Sequence, residues 1–423
     1  MKIQLAYGQK GLPIELNDRW SVSVLEPKHT AAAPDPIEAL KQALLDPIES
    51  PPLKDLVRPS DRVGIVFSDI TRPAPNRLML PVILEQLSHV PDRRITLFNA
   101  LGTHRQQTPA ELETMLGSEL ASRYRIVQNS AFDPATQVCL GKTAAGHEVW
   151  LNRELTECQV KILTGFIEPH FFAGFSGGGK AVMPGMAGLK TVLGNHDAGM
   201  IASPQATWGI TYGNPIWEEI QEVASHLRPT FLVNVTLNSE KRITRVFAGD
   251  WKAAHEAGCR FARQTAMVPV PEPFDIVVTT NSGYPLDINL YQTVKGMSAA
   301  ALVVKPGGAI VAAAECRDGI PEHGLYRELL EKAGSPRGVL EMISAPGFLE
   351  QDQWEAQVQA QIQLKADVFV YSEGLTDTQI RAALLCPSHS VEGTVEQLVS
   401  KYGPDASICV LPQGPQTIPY VKT

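Results

Sequence analysis

Arg62-Val-Gly-Ile-Val-Phe-Ser-Asp-Ile-Thr-Arg-Pro73 opens as an unbroken apolar run and closes on a polar, reactive tail. A short run of this kind without alternation is the pattern of a strand covered on both faces, and such strands belong to parallel sheets. The pattern recurs. A helical stretch over residues 76–87 leads to a second apolar run at 94–99, which ends in Gly102-Thr-His-Arg105. Thr108-Pro-Ala-Glu111 then reads as a capping box opening another helix. A third run, Val160-Lys-Ile-Leu-Thr-Gly-Phe-Ile167, ends in Glu168-Pro-His170. Strand–helix alternation predicts an α/β fold with a largely parallel sheet. Open sheets of this class bind ligands at the carboxyl ends of their strands, so the loops carrying Asp69 and Arg72, His104, and His170 are expected to share one crevice.

Working outward, residues 3–6 and 12–16 flank a turn cluster and predict a hairpin, and Asp35-Pro36 starts an amphipathic helix to about residue 45. Residues 22–35 carry no clear period. Short strands are expected at 125–128, 138–140 and 148–151. A helix should follow Asn214-Pro215, then a hairpin over 230–237 and 243–247, then a helix capped by Asp250. Met267-Val-Pro-Val-Pro-Glu-Pro-Phe274 alternates proline and reads as an extended linker. Domains are therefore expected at 1–267 and 268–423. Beyond the linker the alternation restarts, with strands near 275–280, 309–313, 367–372 and 407–411, and helices near 296–301, 321–332 and 350–363. The expectation is two α/β domains with largely parallel sheets and the active site in the cleft between them.

With 423 residues, 44% hydrophobic and 19% charged, the chain has the composition of a soluble globular protein. The net charge of −8 and the lack of a Lys/Arg-rich run argue against a nucleic-acid partner. The start turns polar too soon for a signal peptide, and no apolar run approaches a membrane span. Six scattered cysteines form no framework, so a reducing, cytoplasmic setting is expected.

The stretch Glu168-Pro-His-Phe-Phe-Ala-Gly-Phe-Ser-Gly-Gly-Gly-Lys180 concentrates the chemistry. Its glycines leave backbone N–H groups available to an anion and admit a bulky ligand close to the main chain. Three readings compete. Gly174-x-x-x-x-Gly179-Lys180 fits most of a phosphate-binding P-loop, but Ala181 replaces the Mg²⁺-binding hydroxyl and Pro184 falls where the helix should run. A dinucleotide site lacks its Gly-x-Gly-x-x-Gly. The third reading makes Lys180 a covalent anchor for a carbonyl-type cofactor and His196 a metal ligand.

Ser68-Asp69-Ile-Thr-Arg72-Pro73, Gly102-Thr-His104-Arg105, Glu168-Pro-His170 through Lys180, Asn195-His196 and Tyr291-Gln292-x-x-Lys295 stand in an order and spacing that resembles the nickel-dependent lactate racemase family, from the opening hairpin to near the C-terminus. The resemblance implies a 2-hydroxy acid racemase or 2-epimerase. Its cofactor would be a nickel-pincer nucleotide, a pyridinium mononucleotide with two sulfur-containing arms, attached through Lys180. Nickel would be held by the ring carbon, two sulfurs and His196. The backbone of Ser176, Gly177, Gly178 and Gly179 is the expected place for the phosphate. Hydride leaves Cα to give a planar 2-keto acid and returns to the other face, with His104 and His170 handling the hydroxyl proton. A histidine titrating near ~6.5 can serve as acid in one half-reaction and base in the other. Arg72 and Lys295 would bind the carboxylate with Gln292 as a neutral partner, and Asp69 would orient or balance Arg72. The implied partners are a small 2-hydroxy acid and the cofactor-biosynthesis proteins that load the enzyme.

Blander readings stand beside these. His104 alone reads as a loop histidine, Arg72 and Lys295 as surface cations, and Tyr291 and Trp354 as core aromatics. Histidines 29, 89, 147, 226, 255, 323 and 389 have no motif context and read as structural. Thr71, Phe171, Phe172 and Tyr284 are expected near the site. A P-loop-like nucleotide hydrolase and a non-catalytic cofactor carrier remain the alternatives.

Overall fold

A computed structural model describes residues 1–422 except His323, which with Thr423 lies outside the described residues. The chain divides into two compact units. One comprises His29–His196 and Ser203–Thr265, the other Met1–Lys28, Asp197–Ala202 and Ala266–Thr423.

In the first unit a six-stranded sheet runs in the order Ile243–Gly249, Phe231–Leu237, Val160–Phe166, Val63–Ser68, Ile95–Ala100, Arg125–Gln128. All neighbours are parallel except the first pair, which forms the expected antiparallel hairpin. The Val160 strand is buried along its whole length, and so is Val63 to Phe67. Such burial explains why both read as continuous apolar runs. Lys161 survives inside one of them because its Nζ turns back to the carbonyl of Cys158 at 2.6 Å. From the Val63 strand the chain moves outward through the Ile95 and Arg125 strands, then returns to the opposite flank with Val160. The strand order therefore reverses between Val63–Ser68 and Val160–Phe166, and a crevice opens at the carboxyl ends of those two strands.

The helices begin where side chains supply the missing hydrogen-bond acceptors. Asp35 caps Pro36–Leu45, Asn214 caps Pro215–Leu227, and Thr108 with Glu111 completes the capping box of Pro109–Leu116.

The second unit has a six-stranded, all-parallel sheet ordered Cys386–Ser388, Asp367–Tyr371, Val304–Ala313, Phe274–Thr280, Ser407–Leu411, Ser21–Val24. The aperiodic segment near residue 22 is thus an edge strand beside Ser407–Leu411, half-exposed and too short to show a period. The opening hairpin, Lys2–Leu5 with Leu12–Glu15, forms as expected. Its Leu5, Ile14 and Leu16 are buried in one cluster with Ile276, Val278, Val311, Ile408 and Val410. Residues 1–28 accordingly share a core with residues from 276 onward, not with the unit that follows them in sequence.

The proline-alternating stretch is extended, but Met267–Val270 is a strand paired in parallel with Ile418–Val421. The helix expected from residue 296 starts earlier, at Leu290, because Asn289 accepts the Gln292 N–H at 3.0 Å and caps it. The helix Pro336–Ile343 and the strand Cys386–Ser388 were not legible in the sequence. No helix among the described residues is long and apolar enough to cross a membrane.

Candidate active site

The reversal of strand order in the first unit puts a pocket where the sequence expected one. It is lined by Ser68, Asp69 and Arg72 after one strand, Gly102 to His104 after the next, and Thr164 to Phe166 and His170 after the third. Ser176, Gly177 and Lys180 close it. Three loops far apart in sequence therefore meet in one place.

Asp69 is 3% exposed, and its carboxylate is fully engaged. Oδ2 takes the Nδ1–H of His104 at 2.5 Å. Oδ1 accepts from the Thr71 amide at 3.0 Å and the Thr71 hydroxyl at 2.6 Å. Burial opposes ionisation of this carboxyl, but the charge and hydrogen bond of His104, the charge of Arg72 and the Thr71 hydroxyl outweigh it, and its pKa falls below the ordinary value. Its oxygens serve His104 and Thr71, and Arg72 acts on it through charge.

His170 is 9% exposed and packs edge-on against Phe172, with ring centroids 4.6 Å apart. Its Nδ1 accepts the Ala173 N–H at 3.3 Å, and its Nε2 stands 3.3 Å from the Lys180 Nζ. His104 donates Nδ1–H to Asp69, which leaves the lone pair on its Nε2. One pocket thus holds two imidazoles, one backed by a carboxylate and the other beside a lysine.

His196 caps the helix Leu189–Asn195 and is 4% exposed. Burial first, and the Lys180 charge second, drive its pKa down to about 3. It is held as a neutral imidazole, the form that binds metals. Its ring meets Phe172 edge-on at 4.9 Å. Among the described residues no group of three or more His, Cys, Asp or Glu side chains could hold a metal ion. A metal on His196 would therefore draw most of its ligands from elsewhere, as a pincer cofactor tethered at Lys180 would provide. The residues fit that group.

The glycine loop is explained in part by packing. Gly177 and Gly178 have φ of +75° and +56°. A Cβ on Gly177 would stand 2.5 Å from Asn234 Oδ1, and one on Gly178 would stand 2.4 Å from the His255 ring. Two of the N–H groups expected to face a phosphate are also spent within the protein, Ser176 on the Glu168 carbonyl and Gly178 on Asn234 Oδ1. Of the four, Ser176 and Gly177 line the pocket. His255, read as structural, is buried behind the loop, with its Nε2 2.9 Å from the Ser176 carbonyl. After Lys180 the chain makes only the 3₁₀ turn Gly178–Ala181, and no α-helix begins before Leu189. The helix N-terminus on which a P-loop depends is not built.

Gln292 and Lys295 belong to the second unit, on the first turns of Leu290–Ala301, where Lys295 Nζ donates to Gln292 Oε1 at 2.7 Å. In the same unit Trp354 Nε1 donates to the Tyr291 hydroxyl at 3.0 Å. The sequence reading missed Thr164 and Gly165. Their signal was a hydroxyl and a glycine at the end of an otherwise apolar run, where backbone and ligand come close.

Comparison with known proteins agrees in both units. The lactate racemase N-terminal domain matches residues 7–209, and the lactate racemase C-terminal domain matches residues 270–418. Lactate racemase of Lactiplantibacillus plantarum is 36% identical over 379 residues, 89% of each chain. That of Thermoanaerobacterium thermosaccharolyticum is 33% identical over 421 residues, 98% of each. The solved lactate racemase apoprotein from the latter organism superposes with a TM-score of 0.93 at 32% identity, covering all of both chains. A Thermotoga maritima protein shares the fold, with a TM-score of 0.70 at 19% identity.

Proposed function

The chain belongs to the lactate racemase family of isomerases, and from that premise we propose that it inverts the Cα centre of a 2-hydroxy acid, with lactate the first substrate to test. The observation that carries this reading is the pair of imidazoles, His104 and His170, in one pocket beside Lys180.

Lys180 is the proposed attachment point of a nickel-pincer nucleotide and His196 its metal ligand, with the backbone of Gly177, the pocket-lining glycine of the loop, the place for its phosphate. Bound there, the group would supply a hydride acceptor, so that Cα becomes the planar centre of a 2-keto acid. The chain's own residues manage the proton and the charge. A hydroxyl proton released on one side of that plane is taken by the Nε2 of His104, and the hydroxyl is re-formed on the other with a proton from His170 in its imidazolium form; in the reverse direction the two histidines exchange roles. Asp69 holds His104 in the tautomer that leaves Nε2 bare and stabilises the imidazolium once it forms. Arg72 offers a planar fork for the substrate carboxylate, with Lys295 and Gln292 proposed as further carboxylate partners. A carrier without turnover would not need two histidines set as acid and base.

The test is intact mass, nickel content and chiral product analysis on protein co-expressed with cofactor-synthesis enzymes. An adduct on the Lys180 peptide, near-stoichiometric nickel and D-lactate from L-lactate are expected, all lost in Lys180→Ala. Adduct and nickel without racemisation of any 2-hydroxy acid would favour the carrier. Their absence would end the proposal.

A further inference from the structure

Glu219 is a buried carboxylate, 4% exposed, on the helix Pro215–Leu227, and no step of the reaction uses it. Its two oxygens gather three segments of the first unit. Oε1 accepts from the Thr143 hydroxyl at 2.6 Å and pairs with His147 Nδ1 at 2.7 Å. Oε2 accepts from Asn195 Nδ2 at 2.8 Å. Asn195 is fully buried, and the same amide nitrogen donates to the Ile216 carbonyl at 3.2 Å. The residue immediately before His196 is thus clamped to the neighbouring helix by both its amide hydrogens. Gly194, one position earlier, has no Cβ because one would stand 2.7 Å from the His147 ring. The last turn of Leu189–Asn195 is held from two sides, by Glu219 through Asn195 and by His147 against Gly194.

The geometry points to Glu219, backed by His147, as a positioning residue for His196: it fixes the helix end that delivers the imidazole to the metal. This rests on the reading of His196 as a nickel ligand. A buried carboxylate accepting three hydrogen bonds does not yield without leaving several groups unsatisfied, so the helix end is rigid in the direction that matters for coordination. Residues behind a ligand commonly change metal affinity 10–100-fold when altered.

The experiment uses the loaded protein. Glu219→Gln keeps size but turns one of the two accepting oxygens into a donor, so that either the Thr143–His147 pair or Asn195 loses its acceptor. After co-expression with the cofactor-synthesis enzymes, the adduct on Lys180 is weighed and nickel loss to EDTA is timed. Adduct at the wild-type level, nickel released about tenfold faster and a shifted nickel absorption band are expected. His147→Ala, a less buried change, should move the release rate in the same direction and decides the matter if Glu219→Gln does not fold. A wild-type release rate and spectrum in the folded variants, whatever happens to Tm, would overturn the inference and leave the proposed function standing. A wild-type protein without adduct and nickel would remove both.

Discussion

Asp69 and His104 lie 35 positions apart and form the tightest contact in the pocket. In Asp69→Asn the new amide can offer N–H to Nδ1 and so move the imidazole proton to Nε2, the wrong tautomer for a base. Turnover should fall by about 10²–10⁴ with little change in KM, checked by steady-state kinetics on both enantiomers. The same carboxylate sets a pH dependence. Its folded pKa is depressed, so the stability it contributes is present above the unfolded value of ~3.9 and is lost as pH falls through the folded value. Acidification below about pH 4 should therefore lower Tm more in the wild type than in Asp69→Asn. Parallel Tm curves down to pH 2.5 would contradict this. The sequence made both residues visible, because each stands at the polar end of an apolar run. It did not show their pairing, since Asp69 precedes Arg72 by three positions and local spacing pointed there. Contacts between loops depend on strand order, which periodicity does not contain.

The glycine loop shows the same limit at the scale of an element. Its composition suggested an anion cradle, yet Gly177 and Gly178 are also required by Asn234 and His255, which the chain reaches more than fifty residues later. Gly178→Ala combines a left-handed φ with a clash against the buried His255 ring, and should cost about 2–4 kcal/mol. Gly146→Ala, at φ +92° with nothing within 4 Å, should cost only the backbone strain of about 1–2 kcal/mol. Chemical denaturation of the two variants side by side separates strain from clash. In the second unit, Asn289→Ala should lower stability by about 1 kcal/mol by uncapping Leu290–Ala301. It should also weaken substrate binding more than turnover if Gln292 and Lys295, on the turns it caps, bind the carboxylate. Caps of this kind were readable where Asp, Asn or Thr met proline, as at Asp35, Asn214 and Thr108. Asp250 was readable without a proline; Asn289 was missed because the helix it caps was expected only from residue 296.

For the whole molecule, the parallel α/β class was legible because the central strands are mostly apolar and buried on both faces. The membership of residues 1–28 was not, because it rests on a strand of four residues and four buried side chains, Leu5, Tyr7, Ile14 and Leu16. A fragment spanning 266–423 lacks the Ser21–Val24 edge and the Leu5, Ile14 and Leu16 contribution to its core. Alone it should bind ANS and aggregate, and co-expression of residues 1–28 should restore a soluble, two-state unit. An equally stable fragment without them would show the pairing to be dispensable. The pairing of Ser21 with Ser407 also sets a timetable for biosynthesis. At 5–20 residues per second, the Ser21–Val24 strand waits roughly 20–80 s for its neighbour, about 390 residues behind it. During that wait the His29–His196 and Ser203–Thr265 segments are complete and able to build the lysine pocket. The segments that line the lysine pocket are therefore synthesised well before Ser21–Val24 can find its place in the second sheet.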